Sequence, residues 1–273
     1  MKIFTARRKK YDKKSPESLG YYPYESPDLF GYEKDGITYM PCIGGFVGGD
    51  VVSGLFYAVH TGKITEKTAL YIDIGTNGET VLIHNGRMLS CAMAAGPCFE
   101  GAGLECGMRV QKGAVSAVKE ENGKLSVSVI GDTKATGICG SGIVSIIAHL
   151  LKTGKLSASG LLEKEKLFIT DDVYITRKDI RSLQGAKAAI GAGISVLCKR
   201  MGIAKSDIDA VYIAGTFGEY LDKESAVSIG LLPDSECKTL GNCSLFGACL
   251  CAQDESVFDK ICTFAKKIEY IEL

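Results

Sequence analysis

The run Asp73-Ile74-Gly75-Thr76-Asn77-Gly78-Glu79 carries the densest chemistry in this chain. An apolar segment, residues 69–74, delivers a carboxylate and then a turn of small residues. Such a turn lets backbone N–H groups point at anionic oxygens, and Thr76 and Asn77 add a hydroxyl and an amide. Asp73, at the end of the apolar segment, is placed to hold Mg²⁺ directly or through water. Gly78 and Glu79 complete the candidate binding set. The same residues also make a plain hairpin with a satisfied aspartate, and residue types alone leave both readings open.

Two further glycine clusters have the same character. Cys139-Gly140-Ser141-Gly142 opens a segment of helical spacing, where unpaired N–H groups and the helix dipole favour an anion near Gly140 and Ser141. Ordinary capping by Ser141 is the alternative. Gly215-Thr216-Phe217-Gly218 follows an apolar run, residues 210–214, so Gly215, Thr216 and Gly218 let a flat ligand such as a purine approach the backbone; a tight strand-to-helix turn also fits. Three clusters in one chain favour a phosphorylated ligand between them. The pattern GxxxxGK[ST] is absent, and no GxGxxG joins a strand to a helix, which argues against P-loop and Rossmann binding. His60, His84 and His149 have no ligand spacing. Glu100 and Glu105 flank Gly101-Ala102-Gly103 and read as a solvated loop rather than as site carboxylates. No catalytic residue is assigned.

These residues need elements to position them. Strands are expected over 69–74, 79–84 and 87–94, joined by turns at Asn77-Gly78 and Asn85-Gly86. A short strand over 38–43 leads to a helix over about 50–61 with Asp50 as its cap. A glycine-rich insert over 96–113 precedes a hairpin at Asn122-Gly123. Helices follow over 141–153 and 179–201, the second with Ile180, Leu183, Ile190, Ile194 and Leu197 on one stripe. Residues 210–214 form a buried strand, followed by helices near 222–230, 242–252 and 255–267 and a short final strand. Residues 40–48 and 212–218 echo each other as strand, Gly-x-Phe and helix, which suggests a duplicated unit.

With 273 residues, 46% of them hydrophobic, the chain has enough apolar side chains for a substantial core. Its 32 basic and 32 acidic residues cancel, which argues against a general nucleic-acid binder. Seven basic residues against Asp12 give residues 1–14 a local charge of +6, read as a solvated tail. No uncharged apolar run reaches 18 residues and no secretory signal is present, so a cytoplasmic, membrane-free protein is expected. The 11 cysteines are odd in number and lack a CxxC pair, which fits reduced, buried thiols.

Leu70-Tyr71-Ile72-Asp73-Ile74-Gly75-Thr76-Asn77-Gly78-Glu79 resembles the second phosphate loop of the actin-like and sugar-kinase ATPase superfamily. More narrowly, the chain resembles the C-terminal ATPase region of the reductive activators of corrinoid proteins. The matching segments, in order, are Pro41-Cys42-Ile43-Gly44-Gly45-Phe46-Val47-Gly48-Gly49-Asp50, Ala95-Gly96-Pro97-Cys98-Phe99-Glu100-Gly101-Ala102, Cys106-Gly107-Met108-Arg109, Gly137-Ile138-Cys139-Gly140-Ser141-Gly142, Asp179-Ile180-Arg181 with Leu183-Gln184, Ala214-Gly215-Thr216-Phe217-Gly218, and Glu269-Tyr270-Ile271-Glu272-Leu273.

The resemblance implies an α/β chain with a ribonuclease H-like, actin-like ATPase subdomain and a partial preceding one. The expected division is a basic, loop-rich lead-in over 1–37, a residual strand and helix of a first subdomain over 38–66, and the nucleotide-binding lobe over 67–273 with an insert at about 96–135. It implies ATP and Mg²⁺ as cofactors, with Asp73, Gly75, Thr76 and Asn77 facing phosphates and metal and residues 215–218 near adenosine. It also implies reactivation of Co(II) corrinoid to Co(I), and as partner a corrinoid protein or corrinoid-dependent methyltransferase. The family's iron–sulfur cysteine cluster and first Asp-x-Gly-Thr loop have no counterpart here. Either the sequence starts late, or a separate chain or second copy completes the ATP cleft; the alternative is a non-catalytic docking module for the same partner. A small-molecule kinase is a third, less favoured reading.

Overall fold

Alternating apolar residues build the centre of the molecule. In β4 (Thr68–Ile74), Leu70, Ile72 and Ile74 point to one face and Ala69 and Tyr71 to the other, all buried. A strand apolar on both faces needs a layer on each side, and the computed structural model supplies both. It describes residues 2–4, 32–34, 37–44, 46–121 and 124–273.

β4 pairs antiparallel with β5 (Gly78–His84), which pairs antiparallel with β6 (Arg87–Met93). The β5–β6 turn is Asn85-Gly86, with φ of +50° and +82°, the conformation this dipeptide favours in two-residue hairpins. The β4–β5 connection differs from the expected Asn-Gly turn. Ile74 pairs with Gly78, leaving a loop of residues 75–77 closed by the Gly75 N–H donating to the Asn77 carbonyl at 2.9 Å.

On the other side of β4, β12 (Ala210–Ala214) and β13 (Glu236–Gly241) run parallel to it, and β14 (Ile268–Tyr270) runs parallel to β6. The six strands lie in the order β13-β12-β4-β5-β6-β14. The five from β13 to β6, with β5 alone reversed, form the ribonuclease H-like sheet that the resemblance implies, and β14 extends it at one edge.

One face packs on α3 (Arg177–Met201) and α2 (Gly140–Lys152), where the predicted stripe of Ile180, Leu183, Ile190, Ile194 and Leu197 is buried. The capping box of Thr176 and Asp179 starts α3 two residues before the apolar spacing suggests. The opposite face packs on α1 (Gly49–His60) through Val51, Leu55 and Ala58. Gly48, not Asp50, is the N-cap of α1. Asp50 sits in its first turn and accepts from the Val51 N–H at 3.0 Å. Val52 and Phe56 then meet Cys251 of α6 (Cys243–Gln253) and Val257, Ile261 and Ala265 of α7 (Ser256–Ala265) in a second layer.

The insert contributes β7 (Ala114–Glu121), β8 (Lys124–Val129) and β9 (Gly137–Ile138), packed on α2. β7 and β8 pair as the expected hairpin, with Asn122-Gly123 outside the described residues. Most of the 1–37 lead-in also lies outside them, apart from β1 (Lys2–Phe4) and β2 (Tyr32–Lys34), which flank β3 (Ile37–Tyr39). Between α2 and α3, β10 (Lys166–Phe168) and β11 (Tyr174–Thr176) form a small hairpin. After β12 come α4 (Gly215–Tyr220) and α5 (Lys223–Ser228).

Candidate functional site

The parallel strands β4, β12 and β13 end on one edge of the sheet, so their following loops share that edge. Ligands of open α/β sheets settle at the carboxyl ends of strands for this reason. The 75–77 loop after β4, residues 215–218 after β12 and Asn242 after β13 all lie there.

Asp73 and Gly215 bring the first two loops into contact. Ala214 pairs with Asp73 across the strands, and a Cβ on Gly215 would sit 2.8 Å from Asp73 Oδ1. Gly215 has φ +79°, where a side chain is strained as well as crowded. The predicted Gly-Thr-Phe-Gly turn is itself the start of α4. Thr216 is exposed there, while Phe217 and Gly218 are buried. Glu79 pairs with Asp73 across β4–β5 on the same face and is buried, as is Gly78. Asn77 is half-buried, and Thr76 is exposed at the tip.

The insert turn over Pro97–Glu100 closes against this loop, which local sequence patterns do not indicate. Glu100 Oε1 accepts from the Thr76 N–H at 2.9 Å and from Thr76 Oγ1 at 2.7 Å. The Gly96 N–H in turn donates to the Thr76 carbonyl at 2.9 Å. Glu100 is thus an exposed residue of the turn, as its sequence reading has it, but its carboxylate is seated on the 75–77 loop, a contact that reading does not include. Glu105 does not reach the loop through its carboxylate; its N–H donates to the buried Asp179 Oδ1 at 2.9 Å, tying the insert to α3.

The same turn spans the third glycine cluster. A Cβ on Gly140 would lie 2.0 Å from the Phe99 carbonyl oxygen, so only glycine lets α2 approach so closely. Gly140 and Ser141 are buried, and Ser141 Oγ lies 3.2 Å from Cys139 Sγ. The N-cap is Cys139, without a side-chain cap bond, and Ser141 is not the cap. The Phe99 ring is 5.1 Å from that of Phe217. One turn therefore touches all three clusters. The structure brings Asp73, Gly75, Thr76, Asn77 and Gly215 together at the sheet edge and reaches Gly140 and Ser141 only through Phe99.

Burial controls the titrating groups below the edge. It is the main cause that raises the Tyr71 hydroxyl, which lies 3.2 Å from Cys243 Sγ. Burial also pushes the Cys243 thiol up to about 11 and the Cys98 thiol up to about 12. These thiols stay protonated near neutrality, so neither is a thiolate nucleophile there. The cysteines are thiols rather than disulfides, and Cys249 alone of them is exposed. Among the described residues, no group of three or more His, Cys, Asp or Glu is arranged to hold a metal, and no helix is long and apolar enough to cross a membrane.

A family model described as the C-terminal domain of RACo, the ASKHA domain, matches residues 67–273. The chain belongs to that family. The corrinoid activation enzyme RamQ of Eubacterium limosum is 38% identical over 277 residues, covering 86% of this chain and 46% of that protein. The [Co(II) methylated amine-specific corrinoid protein] reductase of Methanosarcina barkeri is 31% identical over 229 residues, covering 75% of this chain and 42% of the relative. A solved reductive activator for corrinoid, iron–sulfur protein superposes with a TM-score of 0.76 at 34% identity, over 86% of this chain and 41% of its own. The chain spans less than half the length of these relatives. Its ASKHA fold implies nucleotide binding.

Proposed function

We propose that this chain is the ATP-binding lobe of an ATP-dependent reductive activator of corrinoid proteins; its relatives are named as a corrinoid activation enzyme, a corrinoid protein reductase and a reductive activator. One observation carries the nucleotide site: Asp73 lies against Gly215, joining the β4 and β12 loops at one sheet edge. In this reading Gly75, Thr76 and Asn77 face the phosphates, Gly78 and Glu79 support that loop, and Gly215, Thr216 and Gly218 line the nucleoside side. Gly140 and Ser141 support the site from beneath, through Phe99.

The donor chemistry fits a phosphate, because Thr76 already gives two hydrogen bonds to one anionic oxygen. The charge pattern favours a divalent cation with it. Asp73 and Glu79, paired across β4 and β5, bring two carboxylates beside the loop, and a polyphosphate joining them needs its charge offset. Mg²⁺ is commonly held by one or two carboxylates, phosphates and waters, which suits Asp73 acting through water. When bound, Mg²⁺ would supply that charge compensation. This chain's residues position the phosphates and admit the base. The remaining side of the cleft would be supplied from outside these residues, and the partner would be a corrinoid protein or corrinoid-dependent methyltransferase.

Amide hydrogen exchange with Mg²⁺ and a non-hydrolysable ATP analogue tests the reading. Protection is expected at residues 75–77 and 215–218, with none around Glu66 and Lys238 at β13. Protection elsewhere alone, or nowhere on a folded chain, would contradict it.

A further inference from the structure

We propose that Glu100 is an internal stand-in for a phosphate oxygen, which occupies the loop and must swing away for the nucleotide to seat. This rests on the nucleotide-site reading above and adds a competing group to it. Glu100 Oε1 takes both donors of the exposed Thr76, its N–H at 2.9 Å and its Oγ1 at 2.7 Å. Two donors converging on one anionic oxygen is the geometry by which such a loop holds an anion. Here the chain supplies that anion itself. A carboxylate and a phosphate cannot share these donors, and their charges repel at that separation.

The mounting of Glu100 makes the swing local. Cys98 and Phe99 are 3% exposed and anchor the turn beneath, with the Phe99 ring on Phe217 and its backbone against Gly140. Glu100 is exposed at the end of that turn. Its side chain therefore leaves the loop by a rotamer change while the turn stays in place. With Glu100 seated, the Thr76 N–H and hydroxyl are satisfied and the loop holds its shape. With Glu100 displaced, the same donors are presented to the nucleotide.

The test is calorimetric titration of the parent chain, Glu100→Ala and Glu100→Gln with Mg²⁺ and adenylyl imidodiphosphate, together with amide exchange at Thr76 without nucleotide. Removing a charged competitor from two hydrogen bonds should tighten binding about tenfold in Glu100→Ala, with a smaller gain in Glu100→Gln, whose neutral amide oxygen can still accept. Thr76 should exchange faster in Glu100→Ala. Binding seen only in the variants would also support the inference, as a parent loop fully occupied by its own carboxylate. Parent binding that is unchanged or weakened by Glu100→Ala overturns the inference and leaves the nucleotide site standing; weakening would make Glu100 a ligand contact. No binding by parent or variants, all folded, overturns the nucleotide site and this inference with it.

Discussion

Replacing Gly215 with alanine separates the strain of a backbone position from its place in the site. Gly215 has φ +79°, and alanine in the left-handed region costs about 1–2 kcal/mol. For a chain of this size that lowers the melting temperature by about 2–4 °C. The new Cβ would also lie 2.8 Å from Asp73 Oδ1 and 3.6 Å from its Cγ. The carboxylate is the part that can give, so it rotates away and leaves the position assigned to it. Affinity for Mg²⁺ and a non-hydrolysable ATP analogue should fall about tenfold or more, roughly 1.4 kcal/mol. Gly202→Ala is the control. Gly202 has φ +77° and nothing within 4 Å of its added Cβ, so it carries the strain without the contact. Calorimetry and thermal melts of both variants should show similar melting losses but an affinity loss in Gly215→Ala alone. Equal binding by both variants and the parent would refute the role given to Asp73, and an equal affinity loss in both would trace the effect to stability.

Two other predictions concern stability. Asp179 is buried and accepts from the Thr176 N–H at 2.8 Å, Thr176 Oγ1 at 2.9 Å and the Glu105 N–H at 2.9 Å. Asp179→Ala orphans two backbone donors at once and should cost about 3 kcal/mol by urea denaturation; a loss below about 1 kcal/mol would show that water replaces them. Glu66 is opposed by burial, but hydrogen bonds from Lys238 at 2.7 Å and from Tyr212 outweigh that and hold its carboxyl at about 2, below the ordinary 4.5. A carboxyl lowered on folding stabilises the native state above pH 4.5, and that contribution falls away as pH drops toward about 2. Glu66→Gln should flatten this acid limb of stability against pH, and an unchanged slope would contradict the assignment.

The sheet centre was legible because its signals are local. Residues 69–74 alternate over two buried faces, and Asn85-Gly86 turns with the positive φ values its dipeptide favours. The apolar stripe of α3 was visible too, although its start was not: Arg177 and Lys178 lie between the cap at Thr176 and the first buried positions. β13 carries Glu236 and Lys238 on a sheet edge, where charge discourages further pairing and erases strand alternation. α4 was hidden because Gly215 and Gly218 read as turn residues, yet a Cβ on Gly218 would lie 2.8 Å from the Ile213 side chain.

The candidate site divides in the same way. The spacing of Asp73, Gly75, Thr76 and Asn77 marks their loop, and the sheet order explains why Gly215 meets it. Glu100 reads as a loop residue because its partner, Thr76, is 24 residues away. No local pattern encodes that contact. Gly140 and Ser141 carry a helix-start signal equally suited to an anion or to close packing, and it is Phe99 that fills the space above Gly140.

The most direct measurement is a calorimetric titration of the folded chain and of Asp73→Ala with Mg²⁺ and a non-hydrolysable ATP analogue. Saturable binding by the parent, lost in a variant that melts as the parent does, is the expected result. Equal affinity in the two, or no binding by the folded parent, would contradict a nucleotide site built on Asp73.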